Sequence, residues 1–264
     1  MNSREKFQAR VFVLRLLDYG ESDLIVTFYS REYGKIKGIA KGARRSRKRF
    51  ANTLELFSLS EIIFSRRDPT SLALIEESNI IDHLGNIRNV LENTLLASYM
   101  VELVDYFTIE GKVNPDIYGL LEGYLGRLDR GFEGGRLMHF FELDLLKIAG
   151  YEPVLDHCLD CRRSVNPQAV YHFSPRDGGI RCDACSPSSP SSFSVSLGTI
   201  RTLLYGRNLE KDKLARVVIS EQSSRECRLI FSRLIEHILG RKIKSYAVLC
   251  EIAGTNGDNG RRYL

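Results

Sequence analysis

Four cysteines in two Cys-x-x-Cys pairs constrain the fold of this chain more than any other feature of its sequence. Cys158 and Cys161 form the first pair, and Cys182 and Cys185 form the second pair after a gap of twenty residues. A Cys-x-x-Cys turn presents two thiolates on one side, so two turns complete the tetrahedral shell of one zinc ion. Because four thiolates leave no open position for a water molecule, the spacing predicts one structural zinc site.

Other interpretations of the cysteines stay open at the level of the sequence. The four thiols could lie close together without a metal, although a reducing cytosol disfavours disulfides between them. His157 and His172 lie close to the pairs in the sequence and are alternative ligands. Cys227 and Cys250 stand apart, and we interpret both as small core residues.

The first 80 residues contain short apolar runs rich in Val, Ile, Leu and Phe, separated by turn-like segments such as Asp68-Pro69. This alternation is typical of strands. Five short strands favour a closed barrel, and the OB-fold is the common five-stranded barrel that binds single-stranded nucleic acid on one face. The predicted strands are Ala9 to Leu17, Asp23 to Tyr29, Gly34 to Ala40, Leu56 to Phe64 and Leu72 to Glu76.

The hydrophobic pattern changes to a helical period after the predicted barrel. Ile117 to Leu128 and Leu137 to Ile148 carry apolar residues three and four positions apart, as the faces of buried helices do. Further helices are predicted over residues 86–107, from Leu197 to Leu204 and from Cys227 to Ile238. The chain is therefore predicted to be a multi-domain α+β protein, with an N-terminal five-stranded OB-type β-barrel and an α-helical C-terminal domain that carries a zinc-finger-like insertion.

Changes in composition divide the chain into five predicted segments. A Ser/Pro-rich run follows the cysteines, and the last residues are rich in Gly and Asn, which is typical of linkers and disordered tails. The segments are an OB-fold domain at residues 1–80, a helical domain in two parts at 81–156 and 193–250, a four-cysteine zinc insertion with its linker at 157–192, and a disordered tail at 251–264.

The net charge of +5 is distributed unevenly along the chain. Residues 1–70 carry 15 basic and 8 acidic side chains, whereas residues 71–155 carry 6 basic and 14 acidic ones. A polyanion is therefore expected to bind the basic ends. A basic run at the rim of the predicted barrel favours a groove for a phosphate backbone over a merely solvated loop. The candidate nucleic-acid-binding residues are Lys35, Lys37, Lys41, Arg44, Arg45, Arg47, Lys48 and Arg49.

Aromatic residues near the basic run have two interpretations. They could stack on bases, but a small barrel needs aromatic residues inside, and we favour the core for each of them. A second basic surface, in and after the last long predicted helix, either extends a nucleic-acid path or only solvates that helix. The aromatic residues are Phe28, Tyr29, Phe50 and Phe57, and the second basic surface comprises Arg225, Arg228, Arg233, Arg241, Lys242 and Lys244.

Several classes of protein are disfavoured by the sequence. It contains no phosphate loop, no HExxH zinc-protease motif, no GxSxG nucleophile elbow, no GxGxxG motif and no zinc-deaminase pattern, so we expect no catalysis. No apolar run approaches the ~20 residues of a membrane span, and the first residues lack the apolar region of a secretory signal. We therefore expect a cytoplasmic protein that does not bind membranes.

Four segments resemble the RecO family of bacterial recombination mediators. They lie in the family's order along nearly the whole chain, and none is a catalytic motif. They are YGESDLIVTFYSREYGKIKGIAKGARRSRKRF from Tyr19, LLASYMVELVDYF from Leu95, LLKIAGYEPVLDHCLDC from Leu145 and HILGRKIKSYAVL from His237.

This resemblance implies an OB barrel, an α-helical domain and a zinc-finger-like insertion. It also implies binding of single- and double-stranded DNA, annealing of complementary strands, and cooperation with RecR in loading RecA onto DNA that is coated with single-strand-binding protein. The acidic, apolar C-terminal tail of the single-strand-binding protein would dock on the helical domain. A nucleoid-associated location in the cytoplasm follows from these partners.

Two other function classes compete with a DNA-binding mediator. A zinc-dependent nuclease or hydrolase would need an open metal position and a nearby general base, and the sequence has no signature of either. A scaffold that binds only proteins would use the basic N-terminal part for an acidic partner. Filter binding with a labelled oligonucleotide separates the scaffold from the DNA-binding protein.

Overall fold

The computed structural model describes residues 5–46, 48–50, 52–68, 71–186 and 192–255. The chain divides into two compact units, Met1–Gly131 and Phe132–Leu264, which we call the N-terminal and the C-terminal unit. The N-terminal unit holds a β-barrel and three helices, and the C-terminal unit holds a small sheet and four helices. The two units are defined by the contacts between their residues, and their boundary does not test the five segments that the sequence suggests, which remain a prediction.

Five strands of the N-terminal unit close into a barrel in the order β1-β2-β3-β5-β4. β3 and β5 run parallel, whereas the other neighbouring strands, including β1 and β4, which close the barrel, are antiparallel. This arrangement confirms the predicted five-stranded barrel. The strands are β1 (Glu5–Tyr19), β2 (Asp23–Ser30), β3 (Gly34–Ala40), β4 (Leu59–Arg66) and β5 (Ala73–Asp82).

β1 is long enough to pair with two neighbours, and a bulge between Val13 and Arg15 bends it. Its first half pairs with β4, and its second half pairs with β2. Alternate side chains of the strands point inward and fill the barrel with apolar residues, as a half-buried strand requires. The buried cluster includes Val11, Val26, Phe28, Ile62, Phe64 and Ile75.

Several predicted strand boundaries differ from the structure. β1 runs from Glu5 to Tyr19, so it begins four residues before the predicted start and ends two residues after the predicted end. β4 begins at Leu59 rather than Leu56, because Phe57 has a positive φ of 52° and lies in a turn. β5 continues to Asp82, six residues beyond the predicted end at Glu76, because its second half pairs with β4. Polar residues there are poor strand formers, and the ladder to β4 overrides their propensity.

Three helices complete the N-terminal unit: α1 (Gly85–Arg88), α2 (Leu91–Phe107) and α3 (Pro115–Asp129). The single helix predicted over residues 86–107 is interrupted, because Val90 has the extended backbone of an N-cap. α3 begins at Pro115, two residues before the predicted start at Ile117, since the Asn114 side chain accepts a hydrogen bond from the Asp116 N–H and Pro115 occupies the first turn.

The C-terminal unit contains α4 (Gly134–Ile148), α5 (Leu197–Arg207), α6 (Glu221–Leu239) and α7 (Lys244–Thr255). Ser196 and Ser220 cap α5 and α6, and Gly240 ends α6 in the left-handed conformation. α4 and α5 approach closely at Gly206, where an added Cβ would lie 1.9 Å from Cε1 of Phe140.

The cysteine-rich segment forms a three-stranded sheet that the sequence did not suggest. Its order is β7-β6-β8, with β6 (Tyr171–Ser174), β7 (Gly179–Cys182) and β8 (Phe193–Val195). At the other end, α7 reaches Thr255, so its last five residues fall within the segment that was expected to be disordered, and residues 256–264 lie outside the described residues. Among the described helices, none combines the length and apolar character that crossing a membrane requires.

Candidate functional site

The described part of the basic run in the N-terminal unit is a loop that packs on the β1–β2 hairpin. We call its described residues, Lys41–Ser46 and Lys48–Arg49, the basic loop. Gly42 adopts the left-handed conformation, and its N–H donates to Oδ1 of Asp23 at 2.8 Å. The Arg44 N–H donates to the Ser22 carbonyl at 3.0 Å. These backbone contacts fix the loop and leave its cationic side chains outside.

Most of the predicted DNA-binding residues lie together on the exposed surface of the barrel. Arg44 and Arg45 form loose ion pairs with Asp18 and Glu21, at 3.6 and 3.4 Å. All four side chains are largely exposed, so water and salt screen these pairs strongly. Arg47 lies outside the described residues. The exposed cations are Lys37, Lys41, Arg44, Arg45, Lys48 and Arg49.

Lys35 is placed differently from the other predicted DNA-binding residues. Its side chain is only 15% exposed, and its Nζ donates to the backbone carbonyl and to Oδ1 of Asp105, at 2.6 and 3.1 Å. Lys35 therefore ties β3 to α2 and does not point toward a ligand on the barrel surface.

The four aromatic residues that could have stacked on bases are core residues. Each is at most 4% exposed. Tyr29 donates its hydroxyl hydrogen to the Asn114 carbonyl at 3.0 Å, and burial, opposed by this bond, raises the pKa of Tyr29 to about 12. The favoured core interpretation of Phe28, Tyr29, Phe50 and Phe57 is thus consistent with their burial.

An exposed aromatic residue that the sequence reasoning missed lies at the end of β1. Tyr19 is 55% exposed, and Leu17, two residues earlier on the same face, is 50% exposed. Leu17 pairs with Ile25 of β2, which pairs in turn with Ile39 of β3. The alternation of Arg15, Leu17 and Tyr19 along a strand is the signal that could have revealed this face, but the first predicted strand ends at Leu17 and leaves Tyr19 out. We call Leu17, Tyr19, Ile25, Lys37 and Ile39 the outer barrel face.

A cleft of about 390 Å³ lies between the basic loop and residues 52–55. Arg44 and Ser46 line one side, and Asn52 and Glu55 line the other. Since the loop is cationic, the cleft and the outer barrel face together offer positive charge, polar groups and exposed apolar side chains, the combination that single-stranded nucleic acid binds.

The four cysteines of the two pairs converge in the C-terminal unit. Their sulfur atoms all lie within 4.8 Å of one another, and Sγ of Cys161 is 3.8 Å from Sγ of Cys182. Zinc–sulfur bonds of ~2.3 Å in a tetrahedron place sulfur atoms about 3.8 Å apart. All four thiols are free, so the cluster has the donor set and spacing to bind a metal ion.

Backbone hydrogen bonds shape both cysteine turns. In the first, the Arg162 N–H donates to the Cys158 carbonyl at 3.0 Å, and Arg162 has a φ of 60°. In the second, the Cys185 N–H donates to the Cys182 carbonyl at 2.9 Å. The two turns are brought together because β7 carries Cys182 beside the first turn, where its N–H donates to Sγ of Cys158 at 3.4 Å.

The protonation of the thiols depends on these contacts. Burial raises the pKa of Cys158, but backbone N–H groups of Cys182, Cys161 and Asp160 outweigh it and lower that pKa to about 6. Hydrogen bonding with the Cys182 thiol and burial raise the pKa of Cys185 to about 12. A bound cation would remove the cost of placing several thiolates together.

The two neighbouring histidines are engaged elsewhere. His157 contacts Asp156 through Nδ1 at 2.7 Å and Arg162 through Nε2 at 3.1 Å. His172 contacts Asp183 through Nε2 at 3.3 Å and Ser194 through Nδ1 at 3.4 Å. Neither belongs to the cluster of potential ligands among the described residues.

The two remaining cysteines differ in burial, and two arginines of the second basic surface contact neighbours on the same helix. Cys227 is buried on α6 as expected, whereas Cys250 is exposed on α7, so its assignment to the core was wrong. On α6, Arg225 pairs with Glu221 at 2.8 Å, and Arg228 donates to Oγ of Ser224 at 3.3 Å.

Comparisons with known proteins cover the chain. Residues 1–84 match the family model described as "Recombination protein O N terminal", and residues 88–247 match "Recombination protein O C terminal". A protein of Syntrophus aciditrophicus named "DNA repair protein RecO" is 45% identical over 96% of this chain and 98% of its own length. Proteins of the same name from Anaeromyxobacter sp. strain Fw109-5 and Bacillus pumilus are 33% and 31% identical, over 96% and 88% of this chain and 99% and 89% of their own lengths.

Proposed function

The chain belongs to the recombination protein O (RecO) family, and from this we propose that it is a DNA-binding mediator of recombination in DNA repair. In this proposal it binds single- and double-stranded DNA, anneals complementary strands, and helps RecR to load RecA onto DNA coated with single-strand-binding protein. The C-terminal tail of the single-strand-binding protein is a further proposed ligand of the helical part. The protein would act in the cytoplasm, at the nucleoid.

The observation that carries the proposal is the cluster of exposed cations on the barrel. Six of the predicted side chains lie exposed on β3 and the basic loop, next to a cleft and the outer barrel face. Phosphates that bind these side chains would release counterions, and this release supplies most of the affinity of sequence-independent binding. We propose Lys37, Lys41, Arg44, Arg45, Arg47, Lys48 and Arg49 as contacts to the phosphate backbone. Lys35 is not among them, because its ion pair with Asp105 occupies it.

The test is the salt dependence of binding to a labelled single strand. We expect the variant with Lys37, Lys41, Arg45 and Lys48 changed to alanine to bind more weakly, with the log–log salt slope reduced by about 0.7 for each phosphate that is no longer neutralised. A matched variant removes four exposed cations from elsewhere in the same unit: Arg10, Arg31, Lys112 and Arg130. If both variants weaken binding equally, net charge explains the affinity and the proposed surface is wrong.

We further propose that the cysteine cluster binds one zinc ion with a structural role. The four thiolates would complete its shell, so the metal would hold the two turns together and would offer no position for substrate or water. No step of a reaction is assigned to the protein, which acts by binding and by bringing strands together. Metal-dependent cleavage of an oligonucleotide by homogeneous protein, abolished in Cys158→Ala, would instead place it among the zinc nucleases.

A further inference from the structure

A groove in the C-terminal unit has features of a second binding site. It has a volume of about 570 Å³ and lies between the β6–β7 turn, the start of β8 and α6. The turn contributes Arg176, β8 contributes Phe193, and α6 contributes Leu229, Arg233 and His237. Cations thus border a floor that includes an aromatic ring and an aliphatic side chain.

Arg176 lies in the β6–β7 turn, which hydrogen bonds between its other side chains hold together. Oγ of Ser174 donates to Oδ2 of Asp177 at 2.6 Å, and the same oxygen accepts from Nη1 of Arg181 at 2.7 Å. The acidic residue next to Arg176 is therefore already engaged. Arg176 is exposed and forms no ion pair among the described residues, although its charge adds to the hydrogen bonds of Ser174 and Arg181 that lower the pKa of the Asp177 carboxyl.

The residues on the groove-facing side of α6 recur every four positions. Arg225, Leu229, Arg233 and His237 are therefore about 6 Å apart along one face of the helix. Arg225 is paired with Glu221, but Arg233 has no ion-pair partner among the described residues. Glu236 is the one carboxylate in the described lining, against two arginines.

We propose that this groove binds a second single strand of nucleic acid, a role that rests on the proposed function and extends it to annealing. The guanidinium groups of Arg176 and Arg233 would each bind a phosphate through paired N–H donors. Phe193, which is half-buried against Phe173 at 5.8 Å between ring centroids, would stack on a base. A paired duplex could not supply that base, so the groove favours a single strand.

A nucleic-acid strand fits the groove better than an acidic peptide does. The two arginines of the lining are exposed and lie on different elements, Arg176 on the β6–β7 turn and Arg233 on α6, as a ligand with a repeating charged backbone requires. Annealing also needs two strands on one protein, and the barrel surface of the first unit accounts for one of them. Binding of an acidic peptide is therefore treated as an outcome that would overturn the proposal.

The first test counts the strands that each chain binds. With an eight-nucleotide oligothymidine, short enough for one site of about 4–16 nucleotides, titration should give two strands per chain for the wild type. It should give one for R176E/R233E and one for the variant with Lys37, Lys41, Arg45 and Lys48 changed to alanine, which we call the barrel variant.

Annealing of complementary oligonucleotides should slow at least about tenfold in R176E/R233E, because the reversed charges repel the phosphates and release the second strand. R201E/R216E makes the same charge change at exposed positions outside the groove lining and should behave as the wild type.

The second test places a fluorophore in the groove. The chain has no tryptophan, so Phe193→Trp provides a single reporter, and oligothymidine should quench its emission. In the double variant Phe193→Trp/R233E, oligothymidine should leave the emission unchanged. The charge-reversed variant could misfold, so R176Q/R233Q is tested beside it and should also lose the second strand. Thermal unfolding of both variants shows whether they are folded.

The possible failures are distinguishable. One strand per wild-type chain, absent in the barrel variant and retained in R176E/R233E, would overturn the groove and leave the proposed function intact. No binding by the wild type would overturn both. Normal annealing by R176E/R233E, with loss of binding to an acidic peptide instead, would show that the groove is a protein-docking site.

Discussion

Arg181 donates from Nε to Oδ2 of Asp160 at 2.9 Å and so joins the strand that carries Cys182 to the turn between Cys158 and Cys161. Its Nη1 also donates to Asp177 in the β6–β7 turn. The Arg181 side chain is 18% exposed, whereas the two carboxylates are 46% and 41% exposed. This one guanidinium therefore couples the cysteine cluster to the turn that presents Arg176.

We predict that Arg181→Ala loosens the cysteine cluster without removing a ligand. The substitution removes two charge-assisted hydrogen bonds, and because both carboxylates are partly solvated the cost in unfolding free energy should be about 1 kcal/mol. Transfer of zinc to a chromogenic chelator should be several-fold faster than in the wild type. Arg176→Ala, on the same turn but without these hydrogen bonds, is the control, and equal release rates in both variants would contradict the coupling.

Cys182→Ser should lower the zinc content well below one ion per chain. The serine hydroxyl is a poor zinc ligand, and metal binding is coupled to folding of the segment. Elemental analysis of protein prepared under reducing conditions measures the metal, and thermal unfolding measures the loss of stability. Cys250→Ser is the matched control, because Cys250 is exposed and outside the cluster. Absence of zinc from the wild type would contradict the proposed metal.

The features that the sequence predicted are those encoded by local patterns. The cysteine spacing and the apolar stripe of α3 both predicted what the structure contains, because a turn and a helix face are local. Lys35 and the polar second half of β5 were not predictable in this way. The role of Lys35 depends on Asp105, 70 residues away, and the end of β5 depends on its pairing with β4. Tertiary partners decide such positions, and a local pattern does not contain them.

Gly206→Ala should destabilise the C-terminal unit by about 1–3 kcal/mol, the usual cost of overpacking. The added Cβ would lie 1.9 Å from the Phe140 ring, which is buried and has little room to move. Gly198→Ala on the same helix meets nothing closer than 3.9 Å and should be neutral or slightly stabilising, because alanine favours helix. Chemical unfolding compares the two. Phe140→Leu should partly rescue Gly206→Ala, and equal stabilities of the two alanine variants would rule out the close approach of α4 and α5.

Tyr19 on the outer barrel face should contribute to binding of single strands but not of duplexes. Tyr19 is 55% exposed, so its ring can stack on an unpaired base, an interaction that contributes about 1–3 kcal/mol. We expect Tyr19→Ala to reduce affinity for a single strand by about tenfold, a loss within that range. The affinity for a duplex and the salt slope should not change, because no charge is removed.

Two variants serve as controls. Tyr19→Phe should bind as the wild type does, and Tyr205→Ala, at a 62% exposed tyrosine of the other unit, controls for removal of an exposed ring. Because the chain lacks tryptophan, Tyr19→Trp adds a direct reading, with emission quenched by oligothymidine. If Tyr19→Ala binds single strands as tightly as the wild type and the Tyr19→Trp emission does not change, the barrel contacts only the phosphate backbone, and base contacts must be sought elsewhere.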